Sequence, residues 1–156
     1  MQTFLPYRSF ARSARCLDNK RLGKQRVEAV QILDALCRRD GARRGWAHHP
    51  AVLQWNGYEA ALYSYLQDVQ AEWLRRGFNG DGIAGHMKRL CDSCHKLQTT
   101  MGKMPPWLGQ RAFHASHKSN LLRKDPAWYG RYGWGVPPDR PYVWPVRRSE
   151  TKESMS

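Results

Sequence analysis

Apolar residues recur every three to four positions along most of this 156-residue chain. The pattern is clearest from residue 18 to residue 36, where Leu22, Ala29 and Leu33 share a face, and from residue 51 to residue 76. This spacing lines up apolar side chains along one side of an α-helix, whereas strands need alternation at every second residue. We therefore predict an all-α fold, a single compact helical domain.

The helix boundaries follow from capping and breaking residues. Ser9 is expected to cap a short first helix, Asp18 to open a longer one, and Gly77 to stop a third, because Ser and Asp favour helix starts and Gly favours the residue after a helix. The predicted helices after the short first one cover residues 18–40, 51–76, 83–100 and 107–124, with a basic loop at 41–50 between the first two.

The segment after Pro126 is rich in proline and aromatic residues up to Pro145. Proline at this density cannot continue a helix, so we predict an extended segment laid over the helices. Residues 1–146 are expected to form one domain, and residues 147–156 a polar, flexible tail.

The chain is strongly basic. It has 26 Lys and Arg residues against 13 Asp and Glu, a net charge of +13. Such an excess favours a polyanionic partner, above all nucleic acid, while a hydrophobic content of 41% argues against a disordered chain. No apolar run approaches the roughly 20 residues that cross a bilayer, and the first residues lack a signal-peptide pattern. We expect a cytoplasmic, nucleoid-associated monomer that binds double-stranded DNA and no membrane.

Two sequence pairs raise the question of a metal. Cys91 and Cys94 precede His114 and His117, but two residues separate these histidines, whereas zinc fingers place three to five between theirs. The pairs also have the i, i+3 spacing of neighbours on a helix. We favour reduced thiols on a helix over a zinc site, and predict no metal and no cofactor.

A helix face near the N-terminus combines three bases with one acid: Arg21, Lys24, Arg26 and Glu28. Lys24 and Glu28 have the spacing of an ordinary i, i+4 ion pair. Alternatively, Glu28 serves catalysis, because a carboxylate in a cationic groove weakens DNA binding and needs another purpose, such as proton transfer.

A second helix is rich in hydrogen-bond donors, which suit contacts to a phosphate backbone. Its histidines have the alternative of facing the core with their hydrogen bonds satisfied. The candidate DNA-binding residues here are His114, His117, Lys118, Asn120, Arg123 and Lys124.

Aromatic residues alternate with Gly and Arg from residue 126 to residue 134. Rings such as Trp128 and Tyr129 either stack against DNA bases or form a hydrophobic cover over the helices. We treat both residues as candidate DNA-binding groups.

Several segments resemble the pyrimidine-dimer DNA glycosylases of the phage endonuclease V family. Residues 74–79 (LRRGFN) and 126–133 (PAWYGRYG) look like stretches of the phage enzyme, the second like its aromatic C-terminal motif. Residues 1–7 (MQTFLPY), 17–29 and 113–126 look like a bacterial branch of the family. These segments occur in the family's order.

The resemblance implies an all-helical fold with the N-terminus inserted between helices and a reaction that needs no metal. The free α-amine attacks C1′ of the damaged nucleotide, an imine forms as the base leaves, and β-elimination cuts the strand. Glu28 matches the family's catalytic glutamate and Arg26 an arginine beside it. An α-amine suits this role because an appreciable fraction of such amines is unprotonated near neutral pH.

One residue departs from the family pattern. Gln2 follows Met1, and a side chain this large normally blocks removal of the initiator methionine. The nucleophile is then the Met1 amine, a Thr3 amine after trimming, or a lysine such as Lys24. Excision of a different or hypermodified base, and a non-catalytic DNA-binding role, remain alternative functions.

Overall fold

The computed structural model describes residues 1–38 and 48–145, and within them it contains helices and no strand. The all-α prediction is therefore confirmed. The predicted tail at 147–156 and most of the predicted loop at 41–50 lie outside the described residues. The helices in chain order are α1 (Phe10–Cys16), α2 (Asn19–Cys37), α3 (Pro50–Leu53), α4 (Glu59–Arg75), α5 (Asp81–Ser93), α6 (Lys96–Thr99), α7 (Arg111–Lys124) and α8 (Pro126–Tyr129), followed by a 3₁₀ turn at Gly130–Tyr132.

Helices α2 and α4 pack against each other and supply the centre of one contiguous core. Leu22 and Ile32 of α2 and Leu62 and Leu66 of α4 are fully buried, as the apolar spacing predicts. Burying each such side chain contributes about 1.5–3 kcal/mol. The pairing of these two helices fixes the polar face of α2.

Two of the predicted boundary residues act as expected. The Ser9 hydroxyl accepts a hydrogen bond from the Arg12 N–H at 3.1 Å and so caps α1. Gly77 lies just beyond α4 at φ 89°, a left-handed conformation that a side chain disfavours. Asp18 stands at the N-cap of α2, but its carboxylate binds no backbone N–H of that helix.

Three predicted helices are shorter or divided in the structure. The helix expected at 51–76 is split into α3 and α4 at Gly57, whose φ of 87° ends a right-handed helix. The helix expected at 83–100 is divided between α5 and α6, and the one expected from residue 107 begins only at Arg111, after Gly109 at φ 97°. Apolar periodicity continued across these breaks and concealed them.

The start of the proline-rich segment is also different from the prediction. Residues Pro126–Tyr129 form one helical turn, with Pro126 in the first turn, where a missing N–H costs nothing. The Asp125 carboxylate caps this turn by accepting from the Trp128 N–H at 3.0 Å. Residues 133–145 contain no helix, as predicted, and a turn lies at residues 138 and 139.

Residues 136–145 of this segment are here called the strap, which lies along α7. The Ser119 hydroxyl donates to the Pro137 carbonyl and accepts from the Arg140 N–H, and the Ser116 hydroxyl accepts from the Val143 N–H. These side chains satisfy backbone groups that have no partner strand. The strap therefore holds a defined position on the helix.

The expectation of reduced thiols at Cys91 and Cys94 is wrong for Cys94. Cys37 at the end of α2 and Cys94 just after α5 form a disulfide, with their Cα atoms 5.4 Å apart. Cys94 is thus unavailable to the candidate zinc site. Within residues 1–38 and 48–145, no three His, Cys, Asp or Glu side chains are grouped as metal ligands.

Among the described helices, none combines the length and the apolar character that crossing a membrane requires.

The disulfide closes a long loop, with a sequence separation of 57 residues. Limiting the unfolded chain in this way contributes roughly 2–4 kcal/mol. We expect a Cys37→Ala, Cys94→Ala double variant to lose about that much free energy of unfolding, measured in urea under oxidising conditions. A Cys91→Ser variant, which alters an exposed free thiol, is the control and should match the parent. An unchanged midpoint in the double variant would contradict this expectation.

Candidate active site

The first residues of the chain form part of the core. Gln2, Thr3, Phe4 and Leu5 are all buried, in extended backbone. The Phe4 N–H donates to Gln25 Oε1 at 2.8 Å, and the Leu5 N–H donates to His117 Nδ1 at 2.9 Å. Buried backbone groups need partners, and here side chains of the surrounding helices supply them. We call residues 2–5, which are not helical and belong to no sheet, the N-terminal strand.

Thr3 is held at the centre of this strand. It is fully buried, and its hydroxyl accepts hydrogen bonds from Gln54 Nε2 at 3.2 Å and from Trp55 Nε1 at 3.0 Å. Its N–H donates to Gln2 Oε1 at 2.9 Å. The N–H and the hydroxyl of Thr3 therefore have fixed partners.

The Gln25 side chain joins the N-terminal strand to Glu28. Its Nε2 donates to the Gln2 carbonyl at 2.9 Å and to Glu28 Oε2 at 3.2 Å, while Oε1 accepts from the Phe4 N–H and, at 2.7 Å, from the Tyr65 hydroxyl. The sequence interpretation missed Gln25. Its position in the sequence did indicate burial, because Gln25 lies between Leu22 and Ala29 on the apolar side of α2.

Met1 and Glu28 line one cavity of about 300 Å³, which we call the terminal cavity. Glu28 Oε2 accepts the Gln2 N–H at 3.3 Å, so the carboxylate lies next to the first peptide bond. Four cationic side chains share the lining with this single carboxylate, and the aromatic side chains of the lining are Phe4 and Tyr142. The four are Lys20, Arg21, Lys24 and Lys124.

The i, i+4 ion pair considered for Lys24 and Glu28 does not form. Among the described residues, the hydrogen-bond partners of the Glu28 carboxylate are the Gln2 N–H and the Gln25 amide, and Lys24 has no carboxylate within 4.0 Å. Lys24 is exposed at the edge of the terminal cavity. Its charge is therefore free to meet an anion there.

Arg21 is held in position from the core. Its Nη1 lies 3.2 Å from Asp18 Oδ2, and the Tyr129 hydroxyl donates to Asp18 Oδ1 at 2.5 Å while accepting the Asp18 N–H. Burial, together with the hydrogen bond to Asp18, raises the pKa of Tyr129 far above its usual range. Tyr129, predicted to stack against DNA, is completely buried and instead supports Arg21 through Asp18.

Arg26 does not reach the terminal cavity. It precedes Glu28 by two residues, which places it about 200° around the helix from Glu28. Its guanidinium lies over the Trp73 ring, 4.3 Å from the centroid, and donates to the Asn79 carbonyl at 3.3 Å. The structure therefore separates Arg26 from Met1 and Glu28.

The two candidate histidines of α7 face the core. His117 is fully buried, and His114, nearly so, binds the Leu5 carbonyl through Nδ1 at 2.7 Å and accepts the Gly109 N–H through Nε2. Burial lowers the pKa of His117 to about 3, and burial also lowers the pKa of His114. Both rings are uncharged at neutral pH and hold the N-terminal strand, as the core-facing alternative has it. The exception is the buried Nε2 of His117, which has no hydrogen-bond partner among the described residues.

The other candidates on α7 and α8 have separate positions. Asn120 is buried and donates to the Ser116 and Arg140 carbonyls, and Arg123 donates to the Pro138 carbonyl, so both fix the strap. The Trp128 indole donates to the Cys16 carbonyl at 2.8 Å. Of the α7 candidates, only Lys124 lines the terminal cavity, and Lys118 lies in a different pocket.

Tyr142 of the strap is an aromatic residue of the terminal cavity that the sequence interpretation missed. Its ring centroid lies 5.5 Å from that of His117 and 6.4 Å from that of Phe4. Burial raises the pKa of Tyr142 to about 12, with Glu28 acting in the same direction, so the phenol is neutral. The sequence gave little indication that Tyr142 lines the cavity, because this residue lies beyond the aromatic motif in a proline-rich segment.

His49 lies near the same cavity. Its Nδ1 accepts the Ala51 N–H at 3.0 Å, which caps α3, and its ring packs 5.8 Å from Trp144 of the strap. Burial lowers the pKa of His49, the charge of the chain's α-amine lowers it further, and Glu28 opposes both. These influences place His49 within electrostatic range of the amine and of Glu28.

Fold and site together define the class: a compact all-helical protein whose N-terminal strand ends in a basic cavity containing one carboxylate. The family model described as pyrimidine dimer DNA glycosylase matches residues 1–83 of the 156. The match spans more than half of the chain, which therefore belongs to the pyrimidine dimer DNA glycosylase family. No curated protein and no solved structure matches the chain significantly.

The range matched by the family model contains one part of the terminal cavity and leaves out another. It contains Met1, Gln25 and Glu28, whereas Lys124 and Tyr142 lie beyond it. Membership of the family supports a DNA glycosylase with a DNA substrate. The part of the cavity outside the match belongs to α7 and the strap.

The buried histidine makes stability depend on pH. Because the folded protein holds the pKa of His117 near 3 and the ordinary value is 6.5, the unfolded chain binds more protons between these two values. The stabilisation is complete above about pH 6.5 and is lost as the pH falls towards 3. We expect the free energy of unfolding to fall between pH 7 and pH 5, and to fall less steeply in His117→Gln.

Urea unfolding at several pH values measures this slope. His95→Gln, which changes an exposed histidine, is the control and should keep the slope of the parent. Equal slopes in His117→Gln and in the parent would contradict the assignment.

Proposed function

We propose that this glycosylase excises pyrimidine dimers through the α-amine of Met1 and then cuts the strand as a lyase. The observation that carries this proposal is that Met1 and Glu28 line the same cavity, at the end of a strand whose backbone is fixed by side chains. A fixed nucleophile and a carboxylate in one basic cavity suit attack at a sugar carbon.

The chain, the substrate and water supply every group that the proposed reaction needs. The amine lone pair forms a bond to C1′, the glycosidic bond breaks, and its electron pair leaves with the base. Loss of an amine proton and opening of the sugar ring give the imine. Removal of a C2′ proton then expels the 3′ phosphate, and water releases the chain.

Met1 is the amine that the structure supports best among the three alternatives. Thr3 is fully buried, and trimming to it would remove the Gln2 groups that bind Gln25 and Glu28. Lys24 lies on the cavity edge and is exposed, without a partner that fixes its amine among the described residues. The Met1 amine follows directly from a strand that is held in place.

Glu28 has the position for two tasks. Its Oε2 is oriented by the Gln25 amide at 3.2 Å and by the Gln2 N–H at 3.3 Å. From there it would stabilise the positive charge that develops on the sugar and transfer protons during ring opening. The surrounding Lys20, Arg21, Lys24 and Lys124 would hold the phosphates on either side of the lesion.

Borohydride trapping tests the amine. The parent protein should form a covalent adduct with a duplex that contains a pyrimidine dimer or an abasic site, and peptide mass mapping should locate it on Met1. Acetylation of the α-amine or an N-terminal extension should abolish the adduct.

Glu28→Gln should retain DNA binding but lose most strand cleavage, by about 100-fold or more, the usual range for an acid–base group.

Lys24→Met is the matched control for the nucleophile, since it removes the other candidate amine of the cavity. It should still form the adduct. An adduct located on Lys24 would contradict the role of Met1, and no adduct on either duplex would contradict the imine mechanism. Activity only on DNA with modified bases would instead assign another substrate.

The position of Tyr142 predicts that its ring contacts the damaged base. A base displaced into the terminal cavity would contact this ring, and stacking on an aromatic side chain contributes about 1–3 kcal/mol per base. We expect Tyr142→Leu to slow base excision by about tenfold or more, and Tyr142→Phe, which keeps the ring, to stay near the parent.

Single-turnover assays separate this role from the chemistry of the amine. Cleavage of an abasic duplex, which has no base to stack, should be similar in Tyr142→Leu and the parent. Equal rates of dimer excision in Tyr142→Leu and the parent would exclude the contact.

A further inference from the structure

A second pocket, of about 760 Å³, lies on another side of α7. Its functional lining, which defines what we call the second pocket, consists of Tyr7, Arg8, Arg111, Lys118, Trp134 and Arg140. The second pocket shares no lining residue with the terminal cavity. Lys118 and Lys124 are six residues apart on α7, which separates them by about 9 Å along the axis and roughly 120° around it.

The second pocket carries positive charge without a counter-charge. Four of its lining residues are Arg or Lys, and none of its lining residues is acidic. Within the part of the chain that the structure describes, the side chains of Arg8, Arg111 and Arg140 make no hydrogen bond or ion pair. Like charges around one space repel each other, and an anion bound among them relieves that repulsion.

Lys118 stands at the inner side of this pocket. Its ammonium lies 5.0 Å from the Tyr7 ring centroid and 5.9 Å from that of Trp134. Burial lowers the pKa of Lys118, and the nearby Arg12 lowers it further. The pKa of His114 is lowered chiefly by burial and further by the charges of Lys118 and Arg8.

The aromatic wall of the pocket is rigid. The Trp134 indole donates to the Tyr7 hydroxyl at 2.7 Å and stacks on Tyr132 with an interplanar angle of 13°. Gly133 and Gly135 flank Trp134 at φ values of 60° and 67°, which favour glycine. The ring is thus held before any ligand arrives.

We propose that the second pocket binds one nucleotide unit, with its phosphate among Arg8, Arg111, Lys118 and Arg140 and its base or sugar against Trp134. Guanidinium groups match phosphate oxygens in geometry, and flat rings accept any base. A volume of about 760 Å³ is within the range of small-ligand sites. The unit is either part of a DNA strand away from the lesion or a free nucleotide, which share this chemistry.

Titration of the full chain with thymidine monophosphate, followed by calorimetry, tests the proposal. We expect saturable binding at one site, weakened about tenfold or more in Arg111→Gln and in Arg140→Gln. Lys103→Gln removes the same charge from an exposed position outside both cavities and is the matched control, which should bind like the parent.

Competition with an undamaged duplex distinguishes the two sources. Displacement of the nucleotide by the duplex, with weaker duplex binding in Arg111→Gln than in Lys103→Gln, assigns the pocket to DNA. Simultaneous binding of both assigns it to a free nucleotide. The proposal is overturned if no saturable binding occurs, or if Lys24→Gln rather than the second-pocket variants removes it.

This outcome is independent of the glycosylase chemistry. Nucleotide binding needs neither a lesion nor a free α-amine, and the trapping experiment reads the amine without the second pocket. At saturating protein, Arg111→Gln should give the same adduct yield as the parent. Either proposal can therefore fail while the other stands.

Discussion

The hydrogen bonds of one buried amide, that of Gln25, determine how the start of the chain meets its helices. The side chain bonds to the backbone of Gln2 and Phe4, to the Tyr65 hydroxyl and to the Glu28 carboxylate. It is completely buried, so each of these bonds lies where an unsatisfied polar atom would cost about 1–3 kcal/mol. An apolar residue here would leave the Phe4 N–H without a partner. The strand, the carboxylate and the cavity between them therefore depend on one amide group.

The cavity itself is assembled from parts far apart in the chain. Helix α2 supplies the carboxylate and three of the cations, Met1 precedes the N-terminal strand, and α7 and the strap supply Lys124 and Tyr142. Hydrogen bonds from Ser116, Ser119 and Asn120 fix the strap on α7, while His114 and His117 fix the strand on the same helix. Helix α7 thus serves as the common support of both segments, because its buried Ser, Asn and His side chains bond to their backbone.

The sequence predicted the helical class and the polar face of α2 because apolar periodicity reports which side of a helix is buried. The sequence also indicated, as candidate site residues, five of the residues that line the terminal cavity: Met1, Glu28, Arg21, Lys24 and Lys124. It could not separate a polar side chain that faces solvent from one that satisfies buried backbone. That ambiguity explains His117 and Asn120, which look like surface donors in the sequence and are buried in the structure. Gln25 and Tyr142 were missed for the same physical reason, because their partners are distant in sequence.

Termini are usually the part of a domain most tolerant of substitution, since few contacts hold them. In this protein the start of the chain is held firmly. Thr3 and Leu5 are as inaccessible to solvent as the centre of the core, and Thr3 takes part in three hydrogen bonds. Mutational tolerance should therefore be lowest at positions where it is commonly highest. The Gln2 side chain, for example, is buried and accepts the Thr3 N–H, so its size and polarity affect the packing of the chain start as well as N-terminal processing.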